Sequence, residues 1–160
     1  MVRLEEFSEK HLPKTYQWML DENLKKNFLF RRTLTPESHK QWFVNYLDDK
    51  SQEIKAIYFN DLYVGNVGLK NIDKINNNAE TWIYIGDTSM KGKGIGSLAY
   101  KELGADLKPN FKKIYAHIVS FNSSSLKMYE KAGFVKEGDF KDEIYWENTY
   151  YNLFRFALYL

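Results

Sequence analysis

In some segments of this chain every second residue is apolar, and in others apolar residues recur at the spacing of a helix. Segments of the first kind occur before, between and after those of the second kind. Residues Val2–Phe7 alternate apolar and polar side chains, which is typical of an edge strand. Ile54–Phe59 and Leu62–Leu69 flank Asn60-Asp61, a pattern that predicts a hairpin with a tight turn. The remaining predicted strands are Ala79–Ile85, Ile114–Val119, a strand from Val135 onward and the closing strand Tyr150–Tyr159.

Helical periods fall between these strands. Ser8 is a predicted helix cap, and Thr35-Pro36-Glu37 is a strong helix start because Thr caps and Pro suits the first helical position. Helices are also predicted over about residues 95–107 and over Ser123–Ala132. Residues 22–34 have no clean period and are predicted to be irregular, with room for one helical turn. Because strands and helices interleave, the chain predicts a mixed α/β sheet domain.

Composition narrows the class of protein. A length of 160 residues predicts one domain over 1–160. The formal charge of +2 gives no continuous track for nucleic acid, although 17% of the residues are aromatic. With no cysteine and three scattered histidines, the chain predicts no metal site. No apolar stretch is long enough for a membrane span, and no signal peptide is evident, so we expect a cytoplasmic protein without a membrane partner.

The segment Lys91-Gly92-Lys93-Gly94-Ile95-Gly96-Ser97 lies between a predicted strand and a predicted helix. Glycines let the backbone approach a ligand closely, and a helix start presents unpaired N–H groups to an anion. Lys91 and Lys93 add positive charge, so the segment predicts a diphosphate-binding loop. The alternative is a flexible loop with solvated lysines. The spacing matches neither the dinucleotide fingerprint nor the P-loop.

A second motif runs from Asn122 to Phe134. Asn122 is placed to cap the helix that follows, which is its simplest role. Tyr129 lies three residues after Leu126 on the predicted helix, so it is either a core aromatic residue or a functional hydroxyl group. The motif alone leaves both roles open.

Together the two motifs resemble the signatures of the GNAT superfamily of N-acetyltransferases. The family loop, Arg/Gln-x-x-Gly-x-Gly/Ala, corresponds to Lys91, Gly94 and Gly96, where Lys91 departs from the usual Arg or Gln. The resemblance implies a mostly antiparallel sheet of about seven strands with one splayed parallel pair, flanked by about four helices. The second family signature is matched by Asn122, Ser125, Tyr129, Glu130, Lys131, Gly133 and Phe134.

The resemblance implies that acetyl-CoA binds in a V-shaped gap between the strands Ala79–Ile85 and Ile114–Val119. Its pyrophosphate would contact loop 91–97, and its pantetheine arm would pair with the first of these strands. Tyr129 would lie near the thioester sulfur and protonate the leaving thiolate. The predicted cofactor-binding residues are Ile83, Tyr84, Ile85, Lys91, Gly92, Lys93, Gly94, Ile95, Gly96, Ser97, Asn122, Ser125 and Tyr129.

The acceptor amine must lose a proton, and Glu80 is the predicted catalytic base. It lies eleven residues before Lys91, a spacing at which some family members carry a Glu that acts through water. The alternatives are that Glu80 is an exposed polar residue or that His39 serves instead. His11 and His117 are predicted to be structural.

The N-terminal third resembles GNAT enzymes that acetylate nucleotide-linked amino sugars and, more weakly, relatives that act on polyamines or on protein N-termini of the ribosomal type. Arg31 and Arg32 are predicted to face a diphosphate, while Trp18, Trp42 or Trp82 would stack on a base or sugar. The residues predicted to contact the acceptor also include His39. Alternatively, the arginines are solvated and the tryptophans are core. A non-catalytic acyl-CoA-binding domain also stays open, and we expect a monomer or homodimer.

Overall fold

The computed structural model describes residues 1–160 as a seven-stranded sheet with helices on both faces. None of its helices is long and apolar enough to cross a membrane. The strands are β1 (Val2–Glu6), β2 (Glu53–Phe59), β3 (Leu62–Asp73), β4 (Asn78–Ile85), β5 (Lys113–Val119), β6 (Val135–Trp146) and β7 (Thr149–Tyr159). The helices are α1 (Leu12–Met19), α2 (Glu22–Asn27), α3 (Pro36–Asp48), α4 (Ile95–Leu107) and α5 (Ser123–Lys131).

The strand order is β1-β2-β3-β4-β5-β7-β6, and every pairing is antiparallel except that of β4 with β5. These two parallel strands pair over only three positions, of which Glu80 with Tyr115 is the last. Beyond that point the two strands separate, so the β5-facing backbone edge of β4 has no strand partner from Thr81 onward. The mixed α/β fold with a splayed parallel pair is thereby confirmed.

Side chains on β4 and β5 alternate between the two faces of the sheet. Ala79 and Ile83 of β4 join the main apolar core, to which α4 and α5 contribute. Ile114, Ala116 and Ile118 of β5 face the same core. Because successive strand residues point to opposite faces, Glu80, Trp82 and Tyr84 of β4 and His117 of β5 lie on the other face, which is covered by α1, α2 and α3.

The structure has five helices where about four are predicted, and α2 lies in the segment 22–34, for which the sequence predicts room for one helical turn. Asp21 caps α2 by accepting a hydrogen bond from the N–H of Leu24 at 2.9 Å. Its six residues bury only Leu24, which is too little to produce an apolar period in the sequence. The predicted strand Leu62–Leu69 also continues to Asp73, across an irregularity in its pairing with β4.

Gly65 of β3 lies against the backbone of β4, and we expect Gly65→Ala to destabilise the fold. A Cβ atom at this position would lie 2.2 Å from the carbonyl oxygen of Tyr84 and 2.9 Å from the Cα of Ile85. Backbone atoms must move to relieve this overlap, so the free energy of unfolding should fall by about 1–3 kcal/mol. For a domain of this size the thermal midpoint should then drop by about 2–12 °C.

Gly104→Ala is the matched control for this substitution. Gly104 lies inside α4, and a Cβ atom there would meet only the flexible end of Leu160 at 3.4 Å. Ala is the better helix former by up to about 1 kcal/mol, so this variant should melt at or above the parent temperature. Equal midpoints for the two variants in a thermal melt followed by circular dichroism would contradict the close approach at Gly65.

Candidate active site

Two glycines shape the loop that precedes α4. Gly92 has φ = 77° and Gly94, the N-cap of the helix, has φ = 76°, both in the left-handed region that favours glycine. The first N–H groups of α4 have no partner within the helix, and they face the loop at its N-terminus. The Lys131 Nζ atom lies 3.5 Å from the position of a Cβ on Gly94. Lys131 therefore adds a cation to the loop, a role that its place in the second signature did not indicate.

The other loop side chains divide between solvent and core. Lys91, Gly92 and Lys93 are exposed, whereas Ile95 is buried against the main core. The Ser97 hydroxyl donates to the backbone carbonyl of Met128 at 3.3 Å, which ties α4 to α5. Gly96 permits the same close packing of the two helices. Only backbone groups are therefore available to bind an anion at Ile95, Gly96 and Ser97. Such contacts stay a prediction.

The separation of β4 and β5 leaves a cavity of about 260 Å³, which we call the gap. Thr81 and Ile83 of β4 line one side of the gap, and Ile118 and Val119 of β5 line the other. The unpaired β4 edge supplies backbone donors and acceptors for an extended polar ligand. Three further lining residues come from α5 and its cap: Asn122, Ser125 and Tyr129.

Tyr129 is 4% exposed and reaches the gap from α5. The hydroxyl of Tyr100 donates a hydrogen bond to the Tyr129 oxygen at 2.9 Å. Burial raises the pKa of Tyr129 above its ordinary value, although the bond from Tyr100 opposes this. The phenol is therefore protonated at neutral pH, and its own hydrogen is free for another acceptor. The ring also packs on Phe134, so Tyr129 has a core role, and its functional role stays a prediction.

Asn122 acts as the cap of α5 that its sequence position predicts. Its side-chain oxygen accepts from the backbone N–H of Ser125 at 3.3 Å, and the residue is 8% exposed. Both residues line the gap, so they are close enough together for a shared ligand. Their contact with acetyl-CoA stays a prediction.

Glu80 lies where the two parallel strands separate, and three side chains bind its carboxylate. Lys70 Nζ lies 3.2 Å from Oε1, His117 Nδ1 lies 3.2 Å from the same oxygen, and Asn71 Nδ2 donates to Oε2 at 2.9 Å. Burial raises the pKa of Glu80, but the bond to His117 and the charge of Lys70 outweigh it and lower the pKa to about 2. Glu80 is therefore ionised at neutral pH, and each of its two carboxylate oxygens has at least one side-chain partner.

His117 is predicted to be structural, and the structure places it in contact with Glu80. The imidazole lines the gap beside Glu80 and belongs to the same cavity as Tyr129. The sequence alone does not reveal this contact, because it depends on the pairing of Tyr115 with Glu80, which puts His117 two residues later on the same face of β5. His11 is buried and bonded to Ser8 and Tyr58. No group of three or more His, Asp or Glu side chains is placed to hold a metal ion.

A second cavity of about 400 Å³, the acceptor cavity, lies on the face covered by α1, α2 and α3. Phe28, Lys70 and Trp82 line both cavities, so the acceptor cavity adjoins the gap. Its lining includes five aromatic residues, and its charged lining residues are Arg32 and Lys70. The aromatic residues are Phe28, Phe30, Trp42, Trp82 and Tyr84. No Asp or Glu lines it.

Four of the predicted substrate-binding residues line the acceptor cavity, namely Arg32, His39, Trp42 and Trp82. Arg31 does not. Its guanidinium lies 4.4 Å from the centre of the Trp146 ring and donates to the backbone carbonyl of Tyr145. The prediction that Arg31 and Arg32 face the same ligand is therefore corrected, because stacking on the β6–β7 hairpin holds Arg31 outside the cavity.

His39 presents an unpartnered nitrogen at the cavity wall. The residue is 7% exposed, and its ring stacks on Trp42 with 5.2 Å between centres. Nε2 of His39 is buried and has no hydrogen-bond partner. Burial lowers the pKa of His39, which favours the neutral ring. A buried nitrogen without a partner costs free energy that a ligand hydrogen bond would recover.

The fold and the two motifs define a class of protein. Residues 2–135 match the family model described as an acetyltransferase (GNAT) domain. The chain therefore belongs to the GNAT family and is an acetyl-CoA-dependent N-acetyltransferase, with acetyl-CoA as its co-substrate.

Three similar proteins illustrate the range within this family. YwnH of Bacillus subtilis, named as a phosphinothricin acetyltransferase, is 32% identical over 116 residues, which cover 67% of each chain. YdaF of the same organism, named as a ribosomal N-acetyltransferase, is 27% identical over 98% of this chain and 84% of its own. The crystal structure of spermidine N-acetyltransferase from Vibrio cholerae with CoA and spermine superposes with a TM-score of 0.88 at 21% identity, covering 99% of this chain and 95% of that one. At that identity the likeness supports the fold.

Proposed function

We propose that this protein transfers the acetyl group of acetyl-CoA to the primary amine of an acceptor that also carries negative charge. A nucleotide-linked amino sugar is the specific acceptor we favour. The observation behind the proposal is an aromatic cavity that adjoins the gap and contains Arg32 and Lys70 but no carboxylate. Planar groups of the acceptor would stack on the aromatic residues of the cavity, and its anion would pair with Arg32, since Lys70 is already paired with Glu80.

The chemistry of the transfer follows from the groups in the gap. An aliphatic amine is mostly protonated at neutral pH, so a base must take a proton before the nitrogen attacks the thioester carbonyl. Unpaired backbone N–H groups on β4 beyond Glu80 are available to stabilise the oxyanion that develops. Tyr129 is protonated and lines the same cavity, which supports its role as the acid that protonates the leaving thiolate.

A polyamine is a poor match for the acceptor cavity. Polyamines carry several positive charges, and burying a cation without an opposite charge is costly. Of the two charged side chains that line the cavity, Lys70 is already paired with Glu80, so Arg32 is the one that would repel such a ligand. The structural likeness to a spermidine N-acetyltransferase bears on the fold and does not offset this charge argument.

A protein N-terminus is the second candidate acceptor. It is favoured by the similarity to YdaF, which extends over 98% of this chain. A peptide would also place its terminal amine in the gap and its first side chains in the acceptor cavity. The cationic lining would then favour N-termini with acidic residues close to the first position.

The proposal is tested by an acetyl-CoA turnover screen with three classes of acceptor. The panel contains a UDP-linked amino sugar with its free amino sugar, a peptide with an acidic N-terminal sequence together with a neutral one, and spermidine. We expect the UDP-linked sugar to exceed the free sugar in kcat/KM, because the binding energy of the remote anion contributes to the transition state. A far higher kcat/KM for spermidine would overturn the assignment of an anionic acceptor.

Arg32→Ala should weaken acceptor binding selectively. Loss of one charge-assisted hydrogen bond costs about 1.5–3 kcal/mol, so the KM for the anionic acceptor should rise by roughly 10-fold or more. The KM for acetyl-CoA should not change. Arg31→Ala is the matched control, since it removes the same charge from a neighbouring residue that stacks on Trp146 outside the cavity. Equal effects of the two substitutions in steady-state kinetics would contradict a specific contact at Arg32.

A further inference from the structure

We propose that His117 is the catalytic base that removes the acceptor proton, and that Glu80 is a positioning residue that holds its ring. The inference rests on the proposed function, since it concerns the same acetyl transfer. It changes the role expected for Glu80 from the sequence and gives a role to His117 that the sequence did not indicate.

The two side chains meet where the acceptor cavity adjoins the gap. Glu80 is the last β4 residue paired with β5, and His117 lies two residues beyond its partner Tyr115. Both side chains line the gap together with Lys70, which also lines the acceptor cavity. An amine that enters from the acceptor cavity past Lys70 therefore arrives beside His117. Tyr129 lines the same gap from the opposite face of the sheet.

The contact with Glu80 fixes the tautomer of His117. An ionised carboxylate only accepts hydrogen bonds, so the 3.2 Å contact between Nδ1 and Oε1 requires the proton on Nδ1. In the neutral ring the lone pair then resides on Nε2. No protein group bonds to this nitrogen, and the His117 side chain is 27% exposed. Nε2 is therefore the free basic atom of the gap.

Glu80 itself is poorly suited to accept a proton. One of its oxygens binds Lys70 and His117, and the other binds Asn71. Its side chain is 13% exposed, which leaves little room for a water that would relay a proton. The pKa of about 2 agrees with this geometry, because protonation would sacrifice these interactions.

The proposed steps balance in protons and electrons. The acceptor ammonium gives one proton to Nε2 of His117, and the freed nitrogen lone pair forms the C–N bond while the carbonyl π pair moves to oxygen. The oxygen pair then re-forms the C=O bond, the C–S bond breaks, and its electron pair leaves with sulfur. Tyr129 protonates the thiolate and regains a proton from the amide nitrogen. His117 releases its proton to solvent, so ammonium and acetyl-CoA yield amide, CoA thiol and one proton.

Several charged and titratable groups surround the imidazole and bear on its pH response. Glu80 and Lys70 face it from β4 and β3. Arg155 lies opposite it on β7, where its guanidinium pairs with Glu137 and stacks on Tyr115. Phe140 of β6 contributes only an aromatic ring, 6.1 Å from the imidazole between centres.

The test uses the acceptor with the highest kcat/KM in the turnover screen and three variants. His117→Gln and His117→Ala should each lower kcat by roughly 10²-fold. Both should also remove the acidic limb of the profile of kcat/KM against pH. CoA affinity, measured by calorimetry, should not change. Added imidazole should accelerate His117→Ala and neither the parent nor Glu80→Gln. Glu80→Gln keeps an acceptor for Nδ1–H, so it should lose only about 10-fold and retain the acidic limb.

Long-range ¹⁵N NMR of the parent measures the tautomer directly and needs no turnover. A ring with its proton on Nδ1 supports the proposal, and a proton on Nε2 would overturn it. The base role would also fail if His117→Ala kept the parent rate and pH profile, while acetyl transfer itself would stand. A Glu80→Gln variant without an acidic limb would return the base role to Glu80. A parent protein that turns over none of the amines would overturn the proposed function and the base role together.

Discussion

Tyr129→Phe is expected to slow the chemical step of acetyl transfer by roughly 10² to 10⁴-fold, the range for loss of a general acid. The substitution removes one hydroxyl group from a buried ring and leaves the packing on Phe134 in place. CoA affinity should be nearly unchanged, because the hydroxyl is proposed to act on the leaving thiolate. An interaction made only in the transition state lowers kcat without raising KM.

Tyr100→Phe is the matched control for this prediction. It also removes one hydroxyl group from a fully buried tyrosine, and that hydroxyl donates to Tyr129. The acid itself stays, so single-turnover rates should fall by far less than in Tyr129→Phe. Thermal melts will show how each substitution affects the fold. Similar single-turnover rates for Tyr129→Phe and the parent would remove Tyr129 from the mechanism.

Much of the fold could be predicted because it depends on local patterns. Period-two alternation located the strands, and cap and stop residues located four of the five helices to within a few residues. The short helix α2 could be predicted only as room for one helical turn in 22–34, because a helix of six residues with one buried side chain has no measurable period. The splayed parallel pair required the family resemblance, since no local pattern reveals which strands become neighbours.

The local structure of the candidate site could be predicted where residues act through their own segment, whereas contacts with distant segments could not. Loop 91–97 and Asn122 are local devices, a helix start and a helix cap, and both form as expected. The pairing of Glu80 with His117 spans 37 residues and depends on the register of β4 and β5. Arg31 was misplaced for a similar reason, because its partner Trp146 lies on a hairpin distant in sequence.

Gly94→Asp is expected to raise the dissociation constant of CoA by about 10²-fold. Gly94 has φ = 76°, and an L-residue in that conformation costs about 1–2 kcal/mol, so the loop should leave the geometry that suits a pyrophosphate. The new carboxylate would repel the phosphates and would also pair with Lys131, whose Nζ lies 3.5 Å from a Cβ on Gly94. The repulsion between this carboxylate and the phosphates should be of similar size to the backbone strain, so the total loss of binding free energy is about 3 kcal/mol. This corresponds to about two orders of magnitude in affinity.

Gly94→Ala separates the two contributions to this loss. It imposes the same backbone strain without the charge, so the dissociation constant should rise by only about 10-fold. A Cβ atom there meets no protein atom closer than Lys131 Nζ, so both variants should fold, and circular dichroism checks this before calorimetry with CoA. An ionic-strength series adds a second readout, because the excess loss in Gly94→Asp should shrink with salt while that in Gly94→Ala should not. Unchanged CoA affinity in a folded Gly94→Asp protein would place the pyrophosphate elsewhere.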